Sequence, residues 1–239
     1  MSLVLRIAAT LGLAAVAAVC IPAARSSAST SKGAVTVLYA GSLVDAMNDT
    51  IAPSFLEHSG YTISGFPGGS LGLANQIKGG VVRADVFISA SPRVNSTLEG
   101  RSNGGWASWY ATFATSPLVL GYNPSSRFAR ELRDKPWYEV VTQNGFRLGR
   151  TDPATDPKGI LAVSALRRAQ SEHSLGALGA LATSQSDVFD EAGLVGRLQS
   201  GQLDAGFLYA VEARSAGIPT VSLGHGLSYE AVYTITVLN

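Results

Sequence analysis

The chain of 239 residues is 46% hydrophobic and 15% charged, with 18 Lys and Arg against 17 Asp and Glu and a formal net charge of +1. That length can bury a full core, as one large domain or as two lobes of roughly 100 residues each. The balanced charge excludes a broad nucleic-acid surface or a polybasic membrane patch, so a ligand must be met by a local site. Arg6, the apolar run Ile7 to Ile21 and the small residues from Pro22 to Ser29 form the three regions of a secretory signal. Residues 1–28 are therefore expected to be removed on export. The apolar run is about 15 residues, shorter than the roughly 20 a membrane helix needs. Cys20 is the only cysteine and lies inside this segment. A lipid anchor there is the alternative to a cleaved form, although Val19 puts a β-branched residue where a small one is expected. The mature chain is then cysteine-free, and with only His58, His173 and His225 the histidines are scattered. Thiolate chemistry and a zinc cluster are excluded.

From Ala34 to Ala40 a β-branched run stopped by Gly41 predicts a buried strand. Ser42-Leu43-Val44-Asp45 reads as a capping box opening a helix that continues to Gly60, with Pro53 kinking or dividing it. "YTISGF" is strand-like, "LGLANQIK" is a short helix stopped by Gly79-Gly80, and "ADVFISA" is another buried strand. Strands follow at "SPLVLGYNP" and "GFRLG". Asp156 is the expected N-cap of a helix with Pro157 at its first position, and "EAGLVGRLQSG" is a further helix. "DAGFLYA", "TVSLG" and "AVYTITVL" are the last strands. Strands alternating with helices predict an α/β fold with a largely parallel sheet.

Gly68-Gly69-Ser70-Leu71-Gly72 has the letters of a nucleophile elbow, and Ser70, Asp204 and His225 stand in the chain order of an α/β-hydrolase triad. Too few residues precede Ser70 for the strands that normally come before such an elbow, and no oxyanion segment lies upstream. The competing reading is an anion cradle. Ser42 and Ser70 each follow a strand and open a helix, Lys158-Gly159 opens a third and Glu191 a fourth, so hydroxyls and free N–H groups at positive helix ends can hold an anion. Each serine alone can equally be an ordinary N-cap, and spacing does not bring the four sites together.

The segments "VLYAGSL", "GGSLGLANQIKGG…ADVFISASP", "ATSPLVLGYNPSS", "GRTDPATDPKG" and "SGQLDAGFLYAVEA" resemble, in order, those of the molybdate/tungstate-binding proteins of ABC importers. The resemblance implies a two-lobe type II periplasmic-binding-protein fold, with lobe 1 formed by residues 29–114 and 216–239 and lobe 2 by residues 115–215. It implies an exported, monomeric receptor, not an enzyme, that passes a small oxyanion to a membrane permease and has no cofactor. By it, Ser42 and Ser70 are oxyanion ligands from lobe 1, and Lys158 and Gly159 (through their backbone) and Tyr209 are ligands from lobe 2. Asp156 and Glu191 match the Asp and Glu by which the archaeal-type branch raises the metal from four to six oxygen ligands, Glu191 lying 18 residues before Tyr209. The plain alternative makes both acids helix-start residues. Sulfate is the competing ligand. Ferric-binding proteins of similar architecture lean on paired tyrosines, and with Tyr209 alone in a ligand segment iron ranks lower. Members of that family carry further C-terminal helices, so the sequence ending at Asn239 is expected to be either a truncated reading or a short form of the fold.

Overall fold

The computed structural model describes residues 31–224 and 229–239. The signal segment with Cys20, and the triad candidate His225, lie outside the described residues. The strands are β1 (Ala34–Ala40), β2 (Thr62–Gly68), β3 (Val86–Ser89), β4 (Ala111–Tyr122), β5 (Leu148–Gly149), β6 (Ala205–Tyr209), β7 (Thr220–Ser222) and β8 (Glu230–Val237). The helices are α1 (Val44–Ala46), α2 (Ala52–Ser59), α3 (Ser70–Lys78), α4 (Pro92–Ser96), α5 (Ala129–Asp134), α6 (Trp137–Val140), α7 (Pro157–His173), α8 (Gly176–Thr183), α9 (Glu191–Gln199) and α10 (Ala210–Ser215). None of the described helices is long and apolar enough to cross a membrane.

The strands run in the order β2-β1-β3-β8-β4-β6-β5, with β7 also on β4. The sheet is mixed, which corrects the expectation of a largely parallel one. β1 pairs in parallel with β2 and β3, and β5 with β6, but β8 is antiparallel to β3 and β4, and β4 is antiparallel to β6 and β7. The reason lies in β4 and β8, long strands that run against their neighbours and stitch two parallel groups into one sheet. β4 pairs with β8 through Pro117 and with β6 from Leu118 onward. The parallel strands β1 and β2 end level with each other at Ala40 and Gly68, and β6 ends at Tyr209 opposite Leu118. Carboxyl ends of strands, where ligands gather in α/β sheets, thus converge on the place where β4 changes partner.

Both faces of the inner strands are covered, so side chains alternate between cores. In β1, Val37 and Tyr39 enter the largest core with Leu118, Leu120 and Phe207, whereas Leu38 packs with Leu73, Ile77 and Phe87 under α3. In β6, Phe207 and Tyr209 join the large core, and Leu208 meets Leu194 and Leu198 of α9. Ala162, Ala165, Leu166 and Ala169 give α7 a buried stripe at helical spacing.

The expected capping box at Ser42 does not form. Gly41–Leu43 is a turn of 3-10 helix with no side-chain cap, because the Ser42 hydroxyl is engaged elsewhere. Between it and α2 the helix widens into a π-helical turn at Met47–Ile51, just before Pro53 in the first turn of α2. Proline has no N–H to contribute to the ladder, and the helix changes its winding there without breaking.

Candidate functional site

A cavity of about 550 Å³ opens at the converging strand ends. Gly41, Ser42 and Gly69 line it from the first part of the chain, and Asp156, Glu191 and Glu212 from the second. Lys158, Gly159, Ser70 and Tyr209 are buried and do not line it.

Asp156 is the N-cap of α7, as expected, and its Oδ1 accepts from the Lys158 N–H at 2.9 Å. Its Oδ2 is buried without a partner. Glu191 is the first residue of α9, but capping there falls to Asp190, whose Oδ1 accepts from the Gly193 N–H at 2.6 Å. The Glu191 carboxylate is therefore free for another task. Its Oε1 lies 3.1 Å from Lys158 Nζ, and its Oε2 is buried without a partner. Gly41 makes room for it, since a Cβ on Gly41 would collide with Glu191 Oε2.

The sequence reading missed where Lys158 points. Its ammonium has no exposed surface and donates to Glu212 Oε1 and Oε2 at 2.9 and 2.7 Å. Burial alone would lower the lysine pKa, but Glu212, Glu191 and Asp156 outweigh it and raise it, so the amine stays charged. One ammonium cannot satisfy three carboxylates in a dry site. Burial pushes the Glu191 carboxyl up to about 8 against the pull of Lys158, and burial raises Glu212 as well.

Tyr209 is fully buried, its hydroxyl has no partner, and its ring lies 5.6 Å from Lys158 Nζ. It is not an isolated tyrosine. Tyr233 of β8 stands edge-on to it with ring centroids 6.2 Å apart, and the Tyr233 hydroxyl is 2.9 Å from Ser42 Oγ. Burial raises the pKa of both phenols, which keeps them neutral donors in the unliganded protein. Ser70 Oγ accepts from the Ala90 N–H at 3.1 Å. Asp204 is committed to Arg147 and Ser126 through contacts of 2.7 to 3.0 Å. Neither serves a nucleophile.

Two close approaches join the cavity walls. The Gly72 N–H donates to the Thr155 carbonyl at 3.0 Å, and a Cβ on Gly69 would lie 2.5 Å from that same oxygen. Gly159 is needed for packing, because a Cβ there would lie 2.5 Å from the Thr151 carbonyl. Arg150, also unforeseen, is buried and donates to the carbonyls of Ala182 and Ser184 at the end of α8, while its backbone pairs with Asp187 and Phe189 just before Asp190. It ties together the segments that lead to Asp156 and Glu191.

The cavity lies at the switch point of a mixed α/β sheet, the place where such folds hold their ligands. Residues 35–239 match the family of bacterial extracellular solute-binding proteins, and the chain belongs to that family. It is 37% identical over 123 residues, 52% of this chain and 34% of the relative, to an uncharacterized solute-binding protein of Methanoculleus marisnigri. To a molybdate/tungstate-binding protein of Pyrococcus abyssi it is 23% identical over 143 residues, 49% of this chain and 42% of the relative. Matches of this kind span well under two thirds of those relatives' lengths. The periplasmic molybdate-binding protein of Azotobacter vinelandii has the same fold, with a TM-score of 0.66, 22% identity and 85% of each chain covered. The fold is that of the type II periplasmic binding proteins, and the family is one of solute binders rather than enzymes.

Proposed function

We propose that the protein captures molybdate or tungstate in this cavity and, as an exported monomer, delivers it to an ABC permease. The observation that carries the reading is the pair of buried carboxylate oxygens without a donor, Asp156 Oδ2 and Glu191 Oε2, on elements that meet at one cavity. Buried polar atoms of this kind are costly and rare. A hydrogen-bond acceptor cannot relieve them, but a hard, high-valent metal centre that accepts oxygen ligands can. Sulfate offers no such centre, and its negative charge would meet the same carboxylates across a low-dielectric gap. The names of the Pyrococcus and Azotobacter proteins point the same way. In this reading Asp156 and Glu191 complete the metal's coordination and Ser42 meets the anion's oxygens from the opposite side, while Ser70, Tyr209 and the first turn of α7 at Lys158-Gly159, buried behind the lining of the unliganded cavity, would reach the anion only as the walls close on it.

The division into lobe 1 (residues 29–114 and 216–239) and lobe 2 (residues 115–215) belongs to the same proposal. The exchange of β8 for β6 along β4 between Pro117 and Leu118 supports a crossing beside Thr115. β7 pairs with the second half of β4 at Val119–Gly121 and β8 with its first half, so both strands after Ala216 return along β4. Calorimetric titration of the mature chain with molybdate, tungstate, sulfate and phosphate tests the function. Tight binding of the first two is expected, and a preference for sulfate overturns it.

A further inference from the structure

A backbone donor at a helix start has no need of a long charged side chain, yet Lys158 sends its ammonium into the interior. It meets both oxygens of Glu212 and, at 3.1 Å, Glu191 Oε1. The three residues stand on three helices. Lys158 lies in the first turn of α7 beside Asp156, Glu191 opens α9, and Glu212 sits in α10, where its Oε2 also accepts from the Tyr209 N–H at 3.3 Å. The buried oxygens without a partner on Asp156, Glu191 and Tyr209 thus belong to elements tied together at one ammonium.

We propose that Lys158 and Glu212 are positioning residues: a buried ion pair that holds Glu191 by Oε1, presents Oε2 to the cavity opposite Gly41, and fixes the spacing of Asp156, Glu191 and Tyr209. Glu212 contributes by occupying the ammonium from two sides. Lys158 is thereby kept from swinging into the cavity, and acts on the ligand only through the carboxylate it orients. Without the ammonium, Glu191 Oε1 would lose its only partner in a dry site and the carboxyl would turn away toward one. The inference rests on the oxyanion reading for the identity of the ligand, but the placement of Glu191 can be read without any ligand.

The test is the double variant Lys158→Met/Glu212→Leu, which removes both charges while keeping volume, a replacement that buried ion pairs commonly tolerate. Crystal structures of the unliganded wild type and variant are compared, and both proteins are titrated with molybdate, tungstate, sulfate and phosphate. A thermal midpoint near that of the wild type, a Glu191 carboxylate withdrawn from Gly41, and affinity for the preferred anion lower by about 10–100-fold are expected. Lys158→Met, which removes the ammonium alone, should move Glu191 in the same direction and serves if the double variant does not fold. If Glu191 keeps its place in the folded variant, the proposal is overturned. Should the wild type bind none of the four anions, the oxyanion reading fails and the crystal structures alone decide the positioning role.

Discussion

The two walls of the cavity are built on opposite plans. The first, from Gly41-Ser42 and Gly68-Gly69 with Asp45 beside them, is mainly backbone, and its hydroxyl is already engaged, Ser42 with Tyr233, as is that of Ser70 behind it with the Ala90 N–H. The second, from Asp156, Glu191 and Glu212, is charged and buried and keeps two carboxylate oxygens in reserve. Shape and dipoles on one side therefore face unspent ligand capacity on the other. Selectivity among tetrahedral anions should reside in the second wall, and the first should act mainly by fitting closely.

The largest expected effect follows from removing that reserve. Glu191→Gln and Asp156→Asn each remove a carboxyl group that would bind the metal as an anion, Glu191 by giving up its proton on binding, and each should lower molybdate affinity by about 10–100-fold in calorimetry. Asn caps a helix as well as Asp does, so the thermal midpoint of Asp156→Asn should barely move. Equal affinity in both variants would return the two acids to helix-start roles and erase the contrast between the walls.

Next comes the fit of the first wall. A methyl on Gly69 would meet the Thr155 backbone carbonyl at 2.5 Å, and a backbone atom cannot swing aside as a side-chain tip can. Gly69→Ala should cost about 1–3 kcal/mol of binding and leave the liganded protein less compact in solution scattering. Compaction equal to the wild type would show that the walls need not touch there. Ser42→Ala probes a smaller term. It leaves the buried Tyr233 hydroxyl unpaired, so it should destabilise the fold by about 1–3 kcal/mol. Adding Tyr233→Phe should recover part of that loss in chemical denaturation.

The smallest effect lies away from the cavity, at Asp204. Burial would raise its pKa, but hydrogen bonds from Arg147 and Ser126 hold it below the ordinary carboxylate range. The folded state thus binds that proton less readily than the unfolded chain. Its stabilising contribution is present above the unfolded value of about 3.9 and is lost as pH falls through the depressed folded value. The difference in thermal midpoint between wild type and Asp204→Asn should hold from neutral pH down to about 4 and close below it.

Much of the frame was legible because local rules and tertiary packing agree there. The β-branched run Ala34–Ala40 is β1 to the residue, Asp156-Pro157 caps α7, and Gly79 ends α3. Ser42 failed as a cap because a phenol 191 positions away takes its hydroxyl, and no local pattern reports so distant a partner. The antiparallel β4 and β8 were read as strands, but their direction depends on partners that only the fold assembles. Short helices such as α5, α6 and α8 carry too few turns to show a period. At the site, the resemblance supplied Asp156, Glu191 and Tyr209, whereas Glu212, Tyr233 and Arg150 went unread. Glu212, three residues after Tyr209 at the start of a helix, carried a faint signal in that spacing. Lys158 carried none, since only burial distinguishes it from a solvated lysine.

X-ray absorption at the molybdenum edge of the liganded protein tests the central claim most directly, because it counts the oxygens around the metal. With Asp156 and Glu191 coordinating, the wild type should show six oxygen neighbours, and Asp156→Asn and Glu191→Gln fewer. A regular four-oxygen spectrum for the wild type, unchanged in both variants, would contradict direct coordination and leave the two carboxylates without the role assigned to them.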